Sequence, residues 1–514
     1  MRSTFGGLEI AKRSLFTHQA ALTTTGHNIA NTNTAGYTRQ TVKFVAARPM
    51  EAVGMQRSTV PGQSGQGVEF SGIERIREQF LDDQFINENK SLGEWEIRSD
   101  TLEKLEKVIN EPSDTGIRQT IEGFWSAWQE LTKDPDSMTN RVLVKERTIA
   151  MTDAMNDTAK KLKDLSNDLT ENISVKSGQI DTILGQIARL NEEIYRVEGL
   201  GNDANDLRDQ RDLHVDELSK MINITVVEQE QGYNVLMGAT SLVAGRDKQV
   251  EVTPALLEGA YGGDMQTGEV YGMILSRDHI VKSYVDQLNT MVNSMVNGQV
   301  QVTLPANTML PTGVTLTAAD GSTVTGTLAA DTTVLVAGLN GLHQLGYDMK
   351  ANPGKPFFQM TAGNEAETIR LNTSILDDVF TIGAANRTYT VLVNGTPEVR
   401  VVQGSNELAL LVAGMRNTKF EYTSGQTGTV DDFFRSIITK LGIEGQEAHR
   451  QLANQQVLVE HVAERRQSTS GVSLDEEMAN MIRFQHAYNA AARAMTTYDE
   501  MLDKVINGMG VVGR

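Results

Sequence analysis

The sequence contains no cysteine in 514 residues. This excludes disulfide bonds, thiolate zinc sites, iron–sulfur clusters and a cysteine nucleophile. It does not fix the compartment, because an exported protein that must avoid unwanted cross-links is expected to show the same composition. The sequence also lacks any run of about 18 apolar residues, so we expect no membrane span.

Positive charge is also scarce. There are 47 Lys and Arg residues against 66 Asp and Glu residues, which gives a formal net charge of −19. This balance disfavours a nucleic-acid binder, which needs a basic face, and a protein held on an anionic membrane. Glu9, Lys12 and Arg13 interrupt any apolar stretch of a signal peptide. We therefore expect a soluble protein that is either cytosolic or exported without a cleaved signal.

Patterns typical of catalytic or metal sites are missing as well. No two of the eight histidines are three or four residues apart, so no helix presents a His pair to a metal. The four aspartates spaced by three between Asp203 and Asp212 do not follow the spacing of an EF-hand calcium loop. With Arg208 and Arg211 between them, they indicate a solvated helix face laced with ion pairs. We expect no catalytic residue, no cofactor and no metal.

Apolar residues with heptad spacing mark both ends of the chain. At the N-terminus they are Met1, Leu8, Leu15, Leu22 and Ile29. At the C-terminus, two parallel series run through Leu474, Met481, Tyr488, Met495, Leu502 and Met509, and through Met478, Gln485, Ala492, Asp499 and Ile506. Heptad spacing predicts helices that pack along a narrow seam. Ser473 and Glu476 suggest a capping box at the start of the C-terminal helix, with a Ser/Thr/Gly linker over 468–471 before it.

The rest of the chain is helical up to about residue 222 and then β-rich. A seam with eight apolar entries of nine, broken only by Lys176, runs from Leu169 to Val197. Trp125 and Trp128 lie on an apolar helix face that indicates a core. From about 223 the period changes to two, and Asn394-Gly395 predicts a hairpin turn. Helix returns near 430 and runs to about 467.

These patterns predict an α+β, multidomain protein. We expect a terminal helical domain formed by 1–50 with 470–514, and a mainly helical, rod-like domain formed by 51–225 with 430–469. A β-rich region should span 226–429, as two small modules with an insertion near 300–340.

The segment from Gly26 to Tyr37 ends the first helix. Its Asn and Thr side chains can bond to nearby backbone groups, and Gly36 can adopt positive φ. Asn28-Ile29-Ala30-Asn31 followed by Gly36-Tyr37 resembles the N-terminal signature of the bacterial flagellar rod, hook and hook-associated proteins. Residue 35 is an alanine where that family usually has proline.

Two further segments carry the same resemblance. Residues 471–477 with 484–493 resemble the matching C-terminal signature. Asn205-Asp206-Leu207-Arg208-Asp209-Gln210-Arg211-Asp212 resembles a segment typical of the hook-associated protein 1 family. The resemblance covers about 1–225 and 430–514 well and the β-rich middle only loosely.

The resemblance implies terminal helices paired as a coiled-coil-like stalk, a helical bundle and an outward β-rich insertion. It implies a structural, non-enzymatic adaptor at the hook–filament junction, exported through the flagellar type III apparatus. The implied partners are further copies in a ring, the hook protein, hook-associated protein 3 and an export chaperone on the C-terminal helix. The implied location is the extracellular flagellum, after a transient stay in the cytoplasm.

We predict that the two signatures and the two seams form the assembly interface. Its residues are Leu8, Leu15, Leu22, Asn28, Ile29, Asn31, Gly36, Tyr37, Leu474, Met478, Met481, Tyr488, Met495, Leu502 and Ile506. The candidate chaperone surface is Met481, Tyr488, Met495 and Leu502. In the free monomer these helices should be largely disordered and should fold on incorporation.

Other interpretations stay open at this point. A hook or rod protein shares the terminal signatures, although the long helical region over 138–222 argues against it. A filament protein has seamed termini but usually lacks a loop of the 28–37 type. A cytosolic enzyme with a coiled-coil oligomerisation arm belongs to a different class altogether, and secretion by a cell that lacks the filament cap would distinguish it from the rest.

Overall fold

The architecture is taken from a computed structural model, which describes residues 5–49, 65–109, 116–393, 396–422 and 425–508. Helices dominate it. In chain order they are α1 Gly6–Ala30, α2 Gln79–Ile109, α3 Ile117–Lys133, α4 Met138–Gly199, α5 Asn205–Met221, α6 Pro254–Ala260, α7 Glu269–Leu275, α8 Lys282–Asn297, α9 Gly338–Gln344, α10 Glu365–Thr368, α11 Thr373–Asp377, α12 Glu407–Gly414, α13 Val430–Ser470 and α14 Leu474–Asp503. Short π-helical turns join α7 to α8 (Ser276–Val281) and follow α14 (Lys504–Gly508).

The strands form small antiparallel sheets. They are β1 Gln40–Ala46, β2 Val68–Arg75, β3 Thr225–Gln229, β4 Gly232–Met237, β5 Thr240–Ala244, β6 Asp247–Lys248, β7 Gln299–Leu304, β8 Leu316–Thr317, β9 Thr323–Val324, β10 Thr332–Ala337, β11 Phe358–Gln359, β12 Arg370–Leu371, β13 Thr388–Val393, β14 Thr396–Val401, β15 Phe420–Glu421 and β16 Thr427–Gly428. In the described part of the chain, β3 to β6 form a four-stranded meander and the other sheets have two strands each.

Two compact units are built from discontinuous stretches of chain. Unit 1 comprises residues 1–95, 173–272 and 452–514, and unit 2 comprises residues 96–172 and 273–451. The three-part domain division made from the sequence stays a prediction.

The core of unit 1 includes the part of the α4 seam that lies within it. Ile173, Ile180, Ile187 and Ile194 are all buried. The polar seam residue Lys176 places its ammonium 2.6 Å from a carboxylate oxygen of Glu269, the first residue of α7. An ion pair therefore satisfies the charge that interrupts the apolar pattern.

The core of unit 2 is rich in aromatic rings. The α3 face is buried as predicted, with Phe124, Trp125 and Trp128 at most 4 % exposed. Trp128 packs against Phe357 with ring centroids 5.4 Å apart, at an inclined angle favourable to aromatic pairs. The prediction that these tryptophans form a helical core is confirmed.

Sequence predictions for the β-rich region are confirmed, whereas the predicted linker before α14 is wrong in part. Strands β13 and β14 pair as the expected hairpin, whose turn at Asn394-Gly395 lies outside the described residues. Strands β3 and β4, which pair from Thr225↔Leu236 to Gln229↔Gly232, begin where the period of the sequence was expected to change to two. The predicted linker over 468–471 is wrong in part, because α13 continues to Ser470 and leaves only 471–473 between the two helices.

The fold is therefore α+β and multidomain, with the N- and C-terminal helices paired. No helix in the described ranges is long and apolar enough to cross a membrane.

Candidate functional site

The terminal helices α1 and α14 pack side by side in unit 1. Near one end, a Cβ added to Gly7 would lie 2.4 Å from the Tyr498 ring. Near the other end, the Asn28 amide donates to a carboxylate oxygen of Glu477 at 3.0 Å. Residue numbers rise along α1 as they fall along α14 between these contacts, so the helices are antiparallel. They remain in contact over about 32 Å at 1.5 Å per residue.

The buried surface of this pair is made of small and polar residues. In α1 the buried positions are Ala11, Thr17, Ala21, Thr24, Thr25 and Asn28. In α14 they are Glu477 and Ala491. Small side chains let the two backbones approach closely, but each buries little apolar area.

The predicted seam residues occupy two different environments. On α1, the side chains of Leu8, Leu15, Leu22 and Ile29 are half-buried. On α14, Met481, Tyr488, Met495 and Leu502 are half-buried too. By contrast, Leu474, Met478 and Ile506 are 47 %, 50 % and 66 % exposed. The pair thus leaves Met478 and Ile506 of the second C-terminal series open to solvent, together with Leu474, which begins the first series.

The Asn-rich loop after α1 is fixed by Asn28, which is 1 % exposed. Its amide nitrogen donates to the Gln40 carbonyl at 2.9 Å, and its amide oxygen accepts from the Gln40 backbone N–H at 3.1 Å. The same oxygen accepts from the Tyr37 hydroxyl at 2.8 Å. Burial, and after it the charges of nearby carboxylates, raise the pKa of Tyr37 and keep its hydroxyl a donor.

Two other residues of the signature shape the loop itself. The Asn31 amide nitrogen donates to the His27 carbonyl at 3.1 Å, and its amide oxygen accepts from the Thr34 hydroxyl at 3.1 Å. Gly36 has φ of +76°, and a Cβ there would lie 3.2 Å from Leu213 of α5. A residue with a side chain would be strained at this position.

Arg39 joins the loop to the start of α14. Its guanidinium contacts the buried Glu477 at 2.8 Å and the exposed Glu476 at 2.8 Å. Its backbone N–H donates to the carbonyl of Ser470, the last residue of α13, at 2.9 Å. The predicted capping box is wrong, because Ser473 makes no side-chain capping bond and Glu476 turns to Arg39 instead. A hydrogen bond to a full positive charge is the stronger alternative.

Helix α5 holds the other side of the loop. Asp209 accepts from the Thr38 backbone N–H at 2.8 Å, and Asp206 accepts from the Gln40 side-chain amide at 2.8 Å. The three sequence segments that carry the family resemblance therefore meet in one network, which joins the end of α1, the beginning of α14 and the N-terminal half of α5.

The aspartates of α5 were expected on a solvated face, and this expectation is wrong for two of them. Asp209 and Asp212 are 5 % and 3 % exposed. Both carboxylates lie 2.7 Å from the Arg75 guanidinium of β2, and Arg77 also pairs with Asp212. Burial alone would raise the pKa of Asp212, and the charges of Arg77 and Arg75 hold it below its usual range. No grouping of metal-ligating side chains occurs in the part of the chain that the structure describes.

Sequence reasoning missed Arg39, Arg75 and Arg77, and it missed the pairing of Gly7 with Tyr498. The arginines stand alone in the sequence, without a pattern that indicates a partner. A signal did exist for the helix contact. Gly7, Ser14, Ala21 and Asn28 form a heptad series of small residues one position before the leucine series.

Comparisons with known proteins agree with this geometry. Residues 102–322 match the model of the flagellar hook-associated protein FlgK helical domain. Residues 464–508, which include all of α14, match the C-terminal model of the flagellar basal body rod FlgEFG proteins. A flagellar hook-associated protein 1 of Bacillus subtilis (strain 168) is 33% identical over 536 residues, covering 100% of both chains. This chain belongs to the flagellar hook-associated protein 1 family.

More distant members of the hook-associated protein 1 family match over nearly the whole chain. The proteins of Salmonella typhimurium (strain LT2) and Escherichia coli (strain K12) are 23% and 25% identical, and each match covers 95% of this chain and 97% of the relative. A solved structure of the flagellar hook junction protein FlgK from Burkholderia pseudomallei shares the fold, with a TM-score of 0.53 at 14% identity. That match covers 76% of this chain and 100% of the other.

Membership of the hook-associated protein 1 family makes this chain a structural protein of the bacterial flagellum, at the hook–filament junction. The network of α1, α14 and α5 lies within the segments that carry the family resemblance.

Proposed function

We propose that the α1–α14 pair is the element through which this chain assembles in the flagellum, and that the chain acts as a mechanical adaptor rather than a catalyst. The observation that supports this proposal is the apolar surface that the pair leaves uncovered. Leu474, Met478 and Ile482 are spaced by four, so they line one face of α14, and each is about half exposed.

Other apolar side chains of the terminal segments are exposed as well. Met501 is 57 % exposed near the end of α14, and Val505 is 53 % exposed in the π-helical turn that follows it. Phe16 is 58 % exposed on α1, and Phe5, which precedes α1, is 57 % exposed. Covering such side chains contributes roughly 1.5–3 kcal/mol each when burial is complete. A neighbouring helix pair is the partner that fits an apolar face of this kind on a helix.

The assembly role includes several neighbours. Copies of the chain form a ring, the hook protein lies on one side of it, and hook-associated protein 3 lies on the other. The predicted assembly residues divide between these roles. The half-buried series on α1 and α14 holds the pair together, and Leu474, Met478 and Ile506 face other subunits.

Before export, a chaperone covers α14 in the cytoplasm, and the flagellar type III apparatus then carries the chain out. The proposed chaperone surface is Met481, Tyr488, Met495 and Leu502. These side chains are half-buried in the helix pair. Chaperone binding and α1 pairing therefore compete for the same face of α14, and release of the chaperone permits pairing.

The test of assembly places charge on the exposed series. A Met478→Glu/Ile482→Glu variant should be exported, but it should fail to join the hook, so filament subunits appear in the medium and swimming is lost. Ile443→Glu is the matched control, because Ile443 is 63 % exposed on α13 and lies in unit 2. Normal junctions in the double variant, seen by electron microscopy of isolated flagella, would remove the support for this proposal.

The test of the chaperone surface uses binding in solution. Tyr488→Ser/Met495→Ser should weaken chaperone binding at least tenfold in calorimetry, whereas Met478→Ser, on the open face, should leave it within twofold. Equal affinities in both variants would place the chaperone elsewhere.

A further inference from the structure

The α1–α14 contact is built from two matched heptad series. On α1 the series is Gly7, Ser14, Ala21 and Asn28. On α14, read in the opposite direction, it is Tyr498, Ala491, Phe484 and Glu477. The first and last pairs are in direct contact, and equal spacing brings the two middle pairs to the same levels. Each large ring therefore faces a small residue, and the polar residues face each other.

A heptad seam alone does not choose its register. If α14 moved by seven residues, its half-buried series of Met481, Tyr488, Met495 and Leu502 would still present apolar side chains to α1. The shift along the axis would be about 10 Å. Something other than the apolar seam must then discriminate between the two alignments.

We propose that two contacts, Asn28–Glu477 and Gly7–Tyr498, set the register of the terminal helix pair. We call them the polar and the aromatic register contacts. This inference concerns pairing within one chain and does not depend on the proposed partners.

The polar contact is available in one alignment only. Every position at heptad spacing after Glu477 lacks a carboxylate, since these positions hold Phe484, Ala491, Tyr498 and Val505. A shift by one heptad would place the Phe484 ring against Asn28 and the Arg39 guanidinium. The backbone of Arg39 is fixed by its own bond to Ser470. Its neighbours Thr38 and Gln40 are bonded to Asp209 and Asn28. Arg39 therefore cannot move with Glu477 when α14 shifts. Loss of the charged partner of a largely buried group is costly.

The aromatic contact excludes the same shift at the other end of the pair. The Tyr498 ring lies where a Cβ on residue 7 would approach to 2.4 Å. After a shift by one heptad, Tyr498 would face Ser14, which has a Cβ. Phe484 would also leave His18 and Phe44, whose ring centroids lie 6.3 and 5.8 Å from its own. The steric and the polar contact thus select the same alignment independently.

The register matters because it decides which residues stay exposed. In the observed alignment, Leu474, Met478 and Ile482 form the open apolar face. In a shifted alignment the first two turns of α14 would have to unwind to lengthen the 471–473 connection, and this face would be lost.

The test uses the absence of cysteine, which allows two spin labels to be placed without background. Cysteines at Gln19 and Glu500, both exposed, lie about 21 Å apart along the pair axis in the observed register. A shift by one heptad shortens this offset by about 10 Å. Pulsed electron–electron distance measurements on the full chain report which alignment is populated.

We expect one narrow distance in the labelled parent chain and in Glu476→Gln, the control that removes only the exposed partner of Arg39. A Glu477→Leu/Tyr498→Ala variant should add a second, shorter distance. A single unchanged distance in that variant, or a broad distribution in the parent, would overturn the inference.

A second design avoids relying on a variant that fails to fold. In Glu477→Leu/Phe484→Glu/Ser14→Gly, the carboxylate and the small residue are both moved by one heptad. The shifted register then has both contacts, and the shorter distance should become the main one. Persistence of the parent distance would show that the two contacts do not set the register. Assembly of the flagellum is not measured in either design, so failure here leaves the proposed function intact.

Discussion

Two carboxylates of unit 1 that are shielded from water each have a specific charged partner. Glu477 is 2 % exposed and is paired with Arg39, and Glu269 is 8 % exposed and is paired with Lys176. Shielding a charge from water costs several kcal/mol unless a partner and hydrogen bonds offset the loss. Substitution of one partner is therefore more damaging than substitution of both.

The pair of Lys176 with Glu269 allows the costs of substituting one partner and of substituting both to be compared. We expect Lys176→Met to destabilise unit 1 by about 2–3 kcal/mol, because Glu269 loses its close partner and the Lys220 ammonium lies 3.8 Å away. Lys176→Met/Glu269→Gln should stay within about 1 kcal/mol of the parent, and Lys161→Met, which removes an exposed pair with Asp157, should cost at most about 0.5 kcal/mol. Hydrogen exchange of α4 amides measures all three. A double variant as unstable as the single one would contradict the ion-pair explanation.

His343 predicts how unit 2 responds to pH. One ring nitrogen, Nδ1, lies 2.5 Å from the Lys355 carbonyl and donates to it, while Nε2 accepts from the Gly383 N–H at 2.8 Å. Burial lowers the pKa of His343 to about 4 from 6.5. The folded state therefore binds fewer protons than the unfolded state between these values. The stabilisation is fully present above pH 6.5 and is lost as the pH falls towards 4, by about 3 kcal/mol.

Urea unfolding followed by tryptophan fluorescence reports this change, since Trp125 and Trp128 lie in unit 2. The midpoint should fall between pH 6.5 and 4 in the parent and much less in His343→Gln. His486→Gln, at an exposed position of α14, is the control and should behave as the parent. Parallel pH profiles for the parent and His343→Gln would refute the assignment.

At the scale of helices, two glycines differ in what surrounds them. A Cβ at Gly93 of α2 would lie 2.2 Å from the Lys220 carbonyl oxygen, whereas Gly185 of α4 has no atom within 4 Å of that position. We expect Gly93→Ala to destabilise unit 1 by roughly 1–3 kcal/mol through a clash with the backbone. Gly185→Ala should stabilise it by about 0.5–1 kcal/mol, because alanine favours helix. Thermal unfolding followed by circular dichroism compares them, and equal melting temperatures would contradict the packing described around Gly93.

The elements that could be predicted from the sequence are those with a local signal. The seam of α4, the aromatic face of α3 and the β13–β14 hairpin follow from periodicity and turn chemistry over a few residues. The leucine series of α1 correctly indicated a packed helix, but the residues in closest contact are the small ones that precede it.

The loop network could be located from the sequence, but its contacts could not be predicted. The family resemblance brought attention to residues 28–37, 205–212 and 471–477, yet Asn28 and Glu477 are 449 positions apart. No local pattern indicates that Glu476 pairs with Arg39 instead of capping its own helix. That choice depends on geometry that the tertiary fold creates.

At the scale of the whole molecule, stability is distributed unevenly. The α1–α14 pair buries small and polar residues, whereas α3 buries Phe124, Trp125 and Trp128. Elements with little buried apolar area open first.

We therefore expect limited proteolysis of the monomer to remove about the first 50 and the last 45 residues before it cuts α3, α4 or α8. Hydrogen exchange should be fastest in α1 and α14. Mass spectrometry of the surviving fragment checks both statements. The register measurement expects the pair to form in the monomer, so the expectation here is only that the pair opens more readily than α3. Terminal helices as well protected as α3 would contradict this order of opening.

The pairing of α1 with α14 also depends on the order in which the two helices are synthesised. Gly7 of α1 lies opposite Tyr498 of α14, so two helices that are synthesised far apart in time must find each other. At 5–20 residues per second, α1 waits roughly 20–90 s for α14. A chain interrupted anywhere before residue 474 would leave Asn28 and Arg39 without a carboxylate, whatever the quality of the rest. Closure of this pair therefore requires a chain that has been synthesised through α14.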